Sequence, residues 1–178
     1  FLTLPMGLNA CYVSLNIAFN AENAIKNIYS QETTKKYLLC IPQWNKFSTT
    51  LLHPSRKRIT KFVTQNKNVS WFHHKNWEPD QYYLELSKYK YAVCPTGSGI
   101  QTPKIFEALL VQTIPIVEDE FVFRQLKHLG LPIMIVSNWS ELSPEYLLQH
   151  EMQVDWKLTL YLCSTKGVID IISNYLVA

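Results

Sequence analysis

Apolar residues fall in short runs separated by polar turns, and the spacing between runs switches between two periods. Residues 37–41 (YLLCI) form a continuous apolar run closed by Pro42, and residues 91–94 (YAVC) form another closed by Pro95. Residues 69–72, 113–117 and 132–136 are of the same kind. Runs of four or five aliphatic, aromatic and β-branched residues bounded by breakers read as strands buried on both faces. Proline closes a ladder because it has no N–H to donate. Between these runs the period becomes helical. Residues 53–64 place Ile59, Phe62 and Val63 on one face, residues 78–87 carry Tyr82, Tyr83, Leu84 and Leu86, residues 121–129 turn Leu126 and Leu129 inward, and residues 143–150 have Pro144 in the first turn. A short amphipathic helix over 21–29 and a polar turn over 30–36 precede the first strand, and residues 156–178 predict a C-terminal tail of one or two helices packed back over the sheet. The opening segment, residues 1–20, has no clear period. This alternation predicts an α/β fold, a Rossmann-like sheet of about five parallel strands with helices on both faces. Ligands of such sheets bind outside the carboxyl ends of the strands, here residues 43–50, 73–76, 96–101 and 118–120.

Composition narrows this picture. At 178 residues and 47% hydrophobic content the chain suffices for one sizeable core, so residues 1–178 read as a single domain. A net charge of +3 without a long basic run carries no nucleic-acid footprint. The cluster Arg56-Lys57-Arg58 is either a solvated helix face or a phosphate site. Cys11, Cys40, Cys94 and Cys163 show no CxxC pairing, no DxD pair occurs, and His73-His74 are adjacent rather than spaced as helical ligands, so no metal is expected. Asn9, Ser14 and Asn16 keep the early apolar region short of the roughly 18 residues of a membrane span. The start does not resemble a signal peptide, and opening on Phe1 points to a fragment or processed product. Asn68-Val69-Ser70 and Asn138-Trp139-Ser140 are glycosylation sequons, usable if the chain enters the secretory route.

The candidate chemistry lies in residues 89–118, which read as strand, glycine loop, helix, strand. Gly97 and Gly99 allow bare backbone to approach a ligand, Thr102 is placed as an N-cap, and Pro103 occupies the first helical position. The loop is neither a Walker P-loop nor a full GxGxxG fingerprint. Lys104, in the first turn, opposes the helix dipole, and a bound diphosphate would account for it. Glu107, three residues on, either accepts the hydroxyls of a ribose or pairs with Lys104. Glu118, Asp119 and Glu120 form an acidic turn that either caps the next helix or faces the site.

The segment CPTGSGIQTPKIFEALLVQTIPIVE resembles the C-terminal signature of the exostosin-like glycosyltransferases, approximately C-P-x-G-x-G-x-D-x-x-R-x-x-E-A-L-x-x-G-x-I-P-I-V. A looser likeness runs from Leu4 to Trp139. The resemblance implies the donor-binding half of a GT-B architecture, a nucleotide-sugar (UDP-sugar) donor, inverting transfer to a glycan acceptor, no cofactor, and an N-terminal Rossmann-like half outside this chain. It implies a Golgi lumenal setting in a eukaryote and a cytoplasmic one in a bacterium or virus. Carried over by position, the donor-binding residues are Arg56, Gly97, Ser98, Gly99, Gln101, Thr102, Lys104 and Glu107, with no catalytic base identified. Trp71, Phe72, His73 and His74 lie where such folds seat a base or form core and rim. Three positions depart from the pattern: Gln101 replaces the acid, Lys104 the arginine and Gln112 the last glycine. Lysine keeps the charge but loses the bidentate fork. The lost acid leaves a non-catalytic binding or assembly module as the alternative function, and a generic Rossmann-like domain for another phosphorylated ligand as a third.

Overall fold

The computed structural model describes residues 3–5, 17–30, 34–42, 54–97 and 99–177. Five strands, β1 (Tyr37–Pro42), β2 (Phe72–Lys75), β3 (Tyr89–Val93), β4 (Ile114–Glu118) and β5 (Met134–Val136), pair in parallel in the order β2-β1-β3-β4-β5. Their apolar runs are continuous because helices cover both faces. Leu39, Ile41, Tyr91, Val93, Ile114 and Ile116 point to one face, while Cys40, Ala92 and Val117 point to the other, as the two-residue period of a strand requires.

The first face is covered by α2 (Ser55–Gln65) through Ile59 and Phe62, by a 3-10 turn (Trp139–Glu141) through Trp139, and by α6 (Pro144–Gln149) through Leu147. The second is covered by α3 (Pro79–Leu86), α4 (Pro103–Leu110), α5 (Phe121–His128) and α7 (Trp156–Leu162). Helix α1 (Ile17–Ser30) packs on α3 and adds the buried Ile28. Each fully buried Leu, Ile or Phe contributes about 1.5–3 kcal/mol of transfer free energy. The tail is two helices, α7 and α8 (Thr165–Val177). Their turn closes tightly, since a β-carbon at Gly167 would lie 2.8 Å from the carbonyl carbon of Tyr161. No helix of the described residues is long and apolar enough to cross a membrane.

The second strand differs from expectation. Residues 69–72 carry the apolar run, yet β2 begins at Phe72, and the Val69 amide closes a turn onto Asn66 O at 3.4 Å. An edge strand pairs on one side only, so it tolerates His73, His74 and Lys75, and Val69 and Trp71 pack on the core from outside the ladder. His73 Nδ1 is hydrogen-bonded to the Tyr89 hydroxyl at 2.7 Å and His74 Nδ1 to Ile41 O at 3.0 Å, so this group serves core and rim.

From β1 the chain moves to β2 on one side, then crosses back so that β3, β4 and β5 extend the other side. The direction reverses between β1 and β3. That switch point is where an open parallel sheet leaves a crevice, and the β3–α4 glycine loop emerges there.

Candidate functional site

The loop leaves β3 through Cys94, whose amide bonds Ile116 O at 2.8 Å and whose thiol reaches Lys104 O at 3.5 Å. The strand end is thereby tied to β4 and to the first turn of α4. Burial pushes the Cys94 thiol up to about 12, which makes it an inert packing group. Gly97 N–H then donates to Gly99 O at 3.1 Å, folding the loop back on itself. Thr102 holds the N-cap position with extended backbone, but its hydroxyl makes no capping bond. Of the first-turn amides, Pro103 has none and Ile105 donates to Thr102 O at 3.1 Å.

Arg56 approaches from the first turn of α2. A β-carbon on Gly97 would fall on Arg56 Nη2 and lie 3.0 Å from Cζ, so the guanidinium rests directly on the glycine backbone. Burial pulls Arg56 below the usual guanidinium range. Its sequence neighbours go elsewhere. Lys57 is exposed, and Arg58 forms a two-pronged pair with Glu118, Nε to Oε1 at 2.7 Å and Nη2 to Oε2 at 2.8 Å. Helical rotation of about 100° per residue thus divides one basic cluster three ways. In the acidic turn Glu118 is held by Arg58, Asp119 pairs with Arg124 at 2.6 Å, and Glu120 takes the N-cap position of α5 with no side-chain capping bond.

Lys104 and Glu107 meet at Tyr82 of α3. The Lys104 ammonium sits 4.8 Å from the ring centroid and 3.5 Å from the hydroxyl, and Glu107 shares a side-chain hydrogen bond with that hydroxyl. Glu107 is 1% exposed. Burial raises its pKa against the opposing pull of Lys104 and Tyr82, and burial raises Tyr82 as well, with the Glu107 charge adding to it. Tyr82 was not among the residues singled out by sequence, where it reads only as one of several apolar positions on its helix.

Around the loop stand buried polar atoms with no hydrogen-bond partner among the described residues: Thr96 Oγ1, Thr102 Oγ1, Ser55 Oγ and Glu107 Oε2. Each lies on the loop, on the helix that leaves it, or in the turn of α2 that abuts it. Native interiors leave few such atoms, and each costs about 1–3 kcal/mol unless something pairs with it. Gln101 donates to Leu4 O at 3.1 Å, which brings residues 3–5 to the loop, and Ser98 lies outside the described residues. Gln112 takes the left-handed φ of 59°. The signature's glycine at that position therefore has a backbone reason. A separate apolar cleft of about 350 Å³ beside α5 shares no residue with this site.

Residues 26–159, all five strands and the glycine loop included, match the family described as the RXYLT1 C-terminal domain. The chain belongs to that family. Among curated relatives, "Ribitol-5-phosphate xylosyltransferase 1" of Danio rerio is 25% identical over 131 residues, covering 67% of this chain and 27% of the relative. The protein of the same name from Mus musculus is 25% identical over 122 residues, covering 55% of this chain and 28% of its own length. The chain thus spans about a quarter of the length of these relatives. Both names denote glycosyltransferases, so the RXYLT1 C-terminal domain family is a glycosyltransferase family, in keeping with the class that the signature implies.

Proposed function

We propose that this chain is the donor-binding domain of an inverting glycosyltransferase of GT-B architecture, related to the exostosin-like enzymes, which takes a UDP-sugar. The observation that carries the reading is the set of unpartnered buried oxygens, Thr96, Thr102, Ser55 and Glu107, gathered at the switch-point loop on which Arg56 rests. In this reading Gly97 and Gly99 let the loop approach the diphosphate, Lys104 and Arg56 supply its phosphate cations, Glu107 accepts the ribose hydroxyls, and Ser98, Gln101 and Thr102 complete the donor-binding set. The acceptor hydroxyl loses its proton to a base, its oxygen bonds the anomeric carbon, and the nucleoside diphosphate departs with the bonding pair. Arg56 and the start of α4 stabilise the charge that develops on the leaving group. Glu118 and Asp119 are each held by an arginine, so we assign the base to an N-terminal half beyond this chain. From the relatives' name we extend the acceptor to a glycan bearing a phosphorylated polyol.

One observation favours a second reading. Gln101 uses its amide to bind Leu4 O where the signature has an acid, which suits a non-catalytic module that has turned the position to structure. Calorimetry with a panel of UDP and GDP compounds separates the two. Saturable UDP binding, weakened at least about tenfold in Lys104→Ala and Glu107→Ala, supports the donor site. No nucleotide binding supports the module, and donor hydrolysis by the full-length protein identifies an enzyme.

A further inference from the structure

Lys104 and Glu107 carry opposite charges three residues apart on α4, a spacing at which such groups pair on a helix surface. Here neither forms an ion pair among the described residues. Tyr82 stands between them. The Lys104 ammonium lies over its ring, 4.8 Å from the centroid and 3.5 Å from the hydroxyl, and that hydroxyl also hydrogen-bonds the Glu107 carboxyl. A phenol can do both at once, since its oxygen accepts from the ammonium while its O–H donates to the carboxylate. One Glu107 oxygen, Oε2, is left buried with no partner among the described residues. The Tyr82 ring is itself held: it is 8% exposed and packs on Trp77 at 6.1 Å between centroids. The fold brings these groups together because α3 and α4 each follow a parallel strand and so start at the same carboxyl edge, with Tyr82 and Lys104 in their first turns.

We propose that Tyr82 is a positioning residue of the donor site, keeping Lys104 and Glu107 from neutralising each other so that the cation serves a diphosphate and the carboxylate serves the hydroxyls of a ribose. The inference rests on the donor-site reading above. A direct ion pair would use up both charges, whereas the phenol holds each by a contact with a neutral group. Lys104 gains most from an anion, because a cation in the first turn opposes the helix dipole and the ring offers it only a quadrupole. An ionised Glu107 can only accept, so a hydroxyl donor suits its free oxygen and a phosphate oxygen does not. Tyr82 thereby divides the site by chemistry: its ring acts on whatever meets Lys104, and its hydroxyl on whatever meets Glu107.

The test is titration calorimetry of the full chain, as wild type, Tyr82→Phe and Tyr82→Leu, with UDP, with inorganic pyrophosphate, and with dideoxyuridine diphosphate, which lacks the ribose hydroxyls. Tyr82→Phe keeps the ring and removes the hydroxyl. It should lower UDP affinity about tenfold and leave the dideoxy compound and pyrophosphate within about twofold of wild type. Tyr82→Leu removes both groups and should lower pyrophosphate affinity about fivefold as well. Because Tyr82→Phe conserves the volume of the ring, the fold persists, and a loss confined to UDP reports the hydroxyl. A residue that only packed α3 against α4 would weaken all three ligands alike, so equal losses overturn the proposal, as does wild-type affinity for all three in both variants. Either of those results leaves the donor reading standing. Absence of UDP binding by wild type overturns that reading and this proposal together.

Discussion

The two ends of the sheet handle buried polar groups in opposite ways. At the amino end, Lys35 Nζ donates to Ser87 O at 2.7 Å, Val111 O at 3.2 Å and Thr113 Oγ1 at 3.3 Å, while the Thr113 hydroxyl lies 3.0 Å from Leu86 O and 2.9 Å from Tyr89 O. These bonds join the starts of β3 and β4 to the segment leading into β1. At the carboxyl end Thr96, Thr102, Ser55 and Glu107 keep buried oxygens without partners among the described residues. The polar groups around Lys35 and Thr113 are satisfied within the fold, whereas those gathered around the glycine loop are not.

The strongest way to break this contrast is Arg56→Ala. It should weaken UDP binding about 100-fold by removing the cation at the loop, with little change in thermal stability, because the loop end closes the site and not the core. Titration calorimetry and a melting curve check both halves, and a large drop in melting temperature with unchanged affinity would invert the assignment. At the satisfied end, Lys35→Met should cost about 1–3 kcal/mol in denaturant unfolding. Burial lowers the Lys35 pKa from 10.5 to about 7. Above pH 7 the unfolded chain therefore binds more protons than the folded one, so the stability of wild type relative to Lys35→Met should rise between pH 7 and 10.

Glu107→Gln tests the opposite sign. Burial raises the Glu107 pKa above its ordinary 4.5, so wild-type stability falls as pH climbs through the folded value while the amide variant is insensitive. The stability of Glu107→Gln relative to wild type should grow with pH in paired unfolding curves, even as UDP affinity drops. A finer comparison pairs two threonines. Thr113→Val should cost about 1 kcal/mol, whereas Thr96→Val should stabilise the ligand-free fold by about 1 kcal/mol, because it removes a buried hydroxyl that has no partner among the described residues. Equal costs would erase the distinction between the two ends. Smallest, Gln112→Gly should stabilise the fold by up to about 1 kcal/mol by relieving the left-handed backbone there.

How far the sequence disclosed these features depended on whether each was local. The runs at 37–41, 91–94 and 113–117 became β1, β3 and β4 because both faces of a central strand demand apolar residues. The edge strand escaped, since pairing with β1 placed it over His73 and His74 in spite of their polarity. The 3-10 turn carried a readable sign, Asn138 followed three residues later by Glu141, which forms a capping box. The glycine loop and its helix were legible from Pro95, Gly97, Gly99 and Pro103 together. What lay beyond reach was everything made by neighbours distant in the chain: Arg56 against Gly97, Tyr82 between Lys104 and Glu107, and Arg58 across to Glu118. Three adjacent basic residues look alike in one dimension, and only the packing of α2 gives them separate tasks.

The amide of Gln101 holds a carbonyl 97 residues earlier in the chain. An aspartate there, bare of protons at neutral pH, would repel that same oxygen, so the exchange of one side chain changes which part of the polypeptide is moored beside the glycines. A substitution near Leu4 that moved its carbonyl would be felt first at the rim of the glycine loop, through a single donor bond.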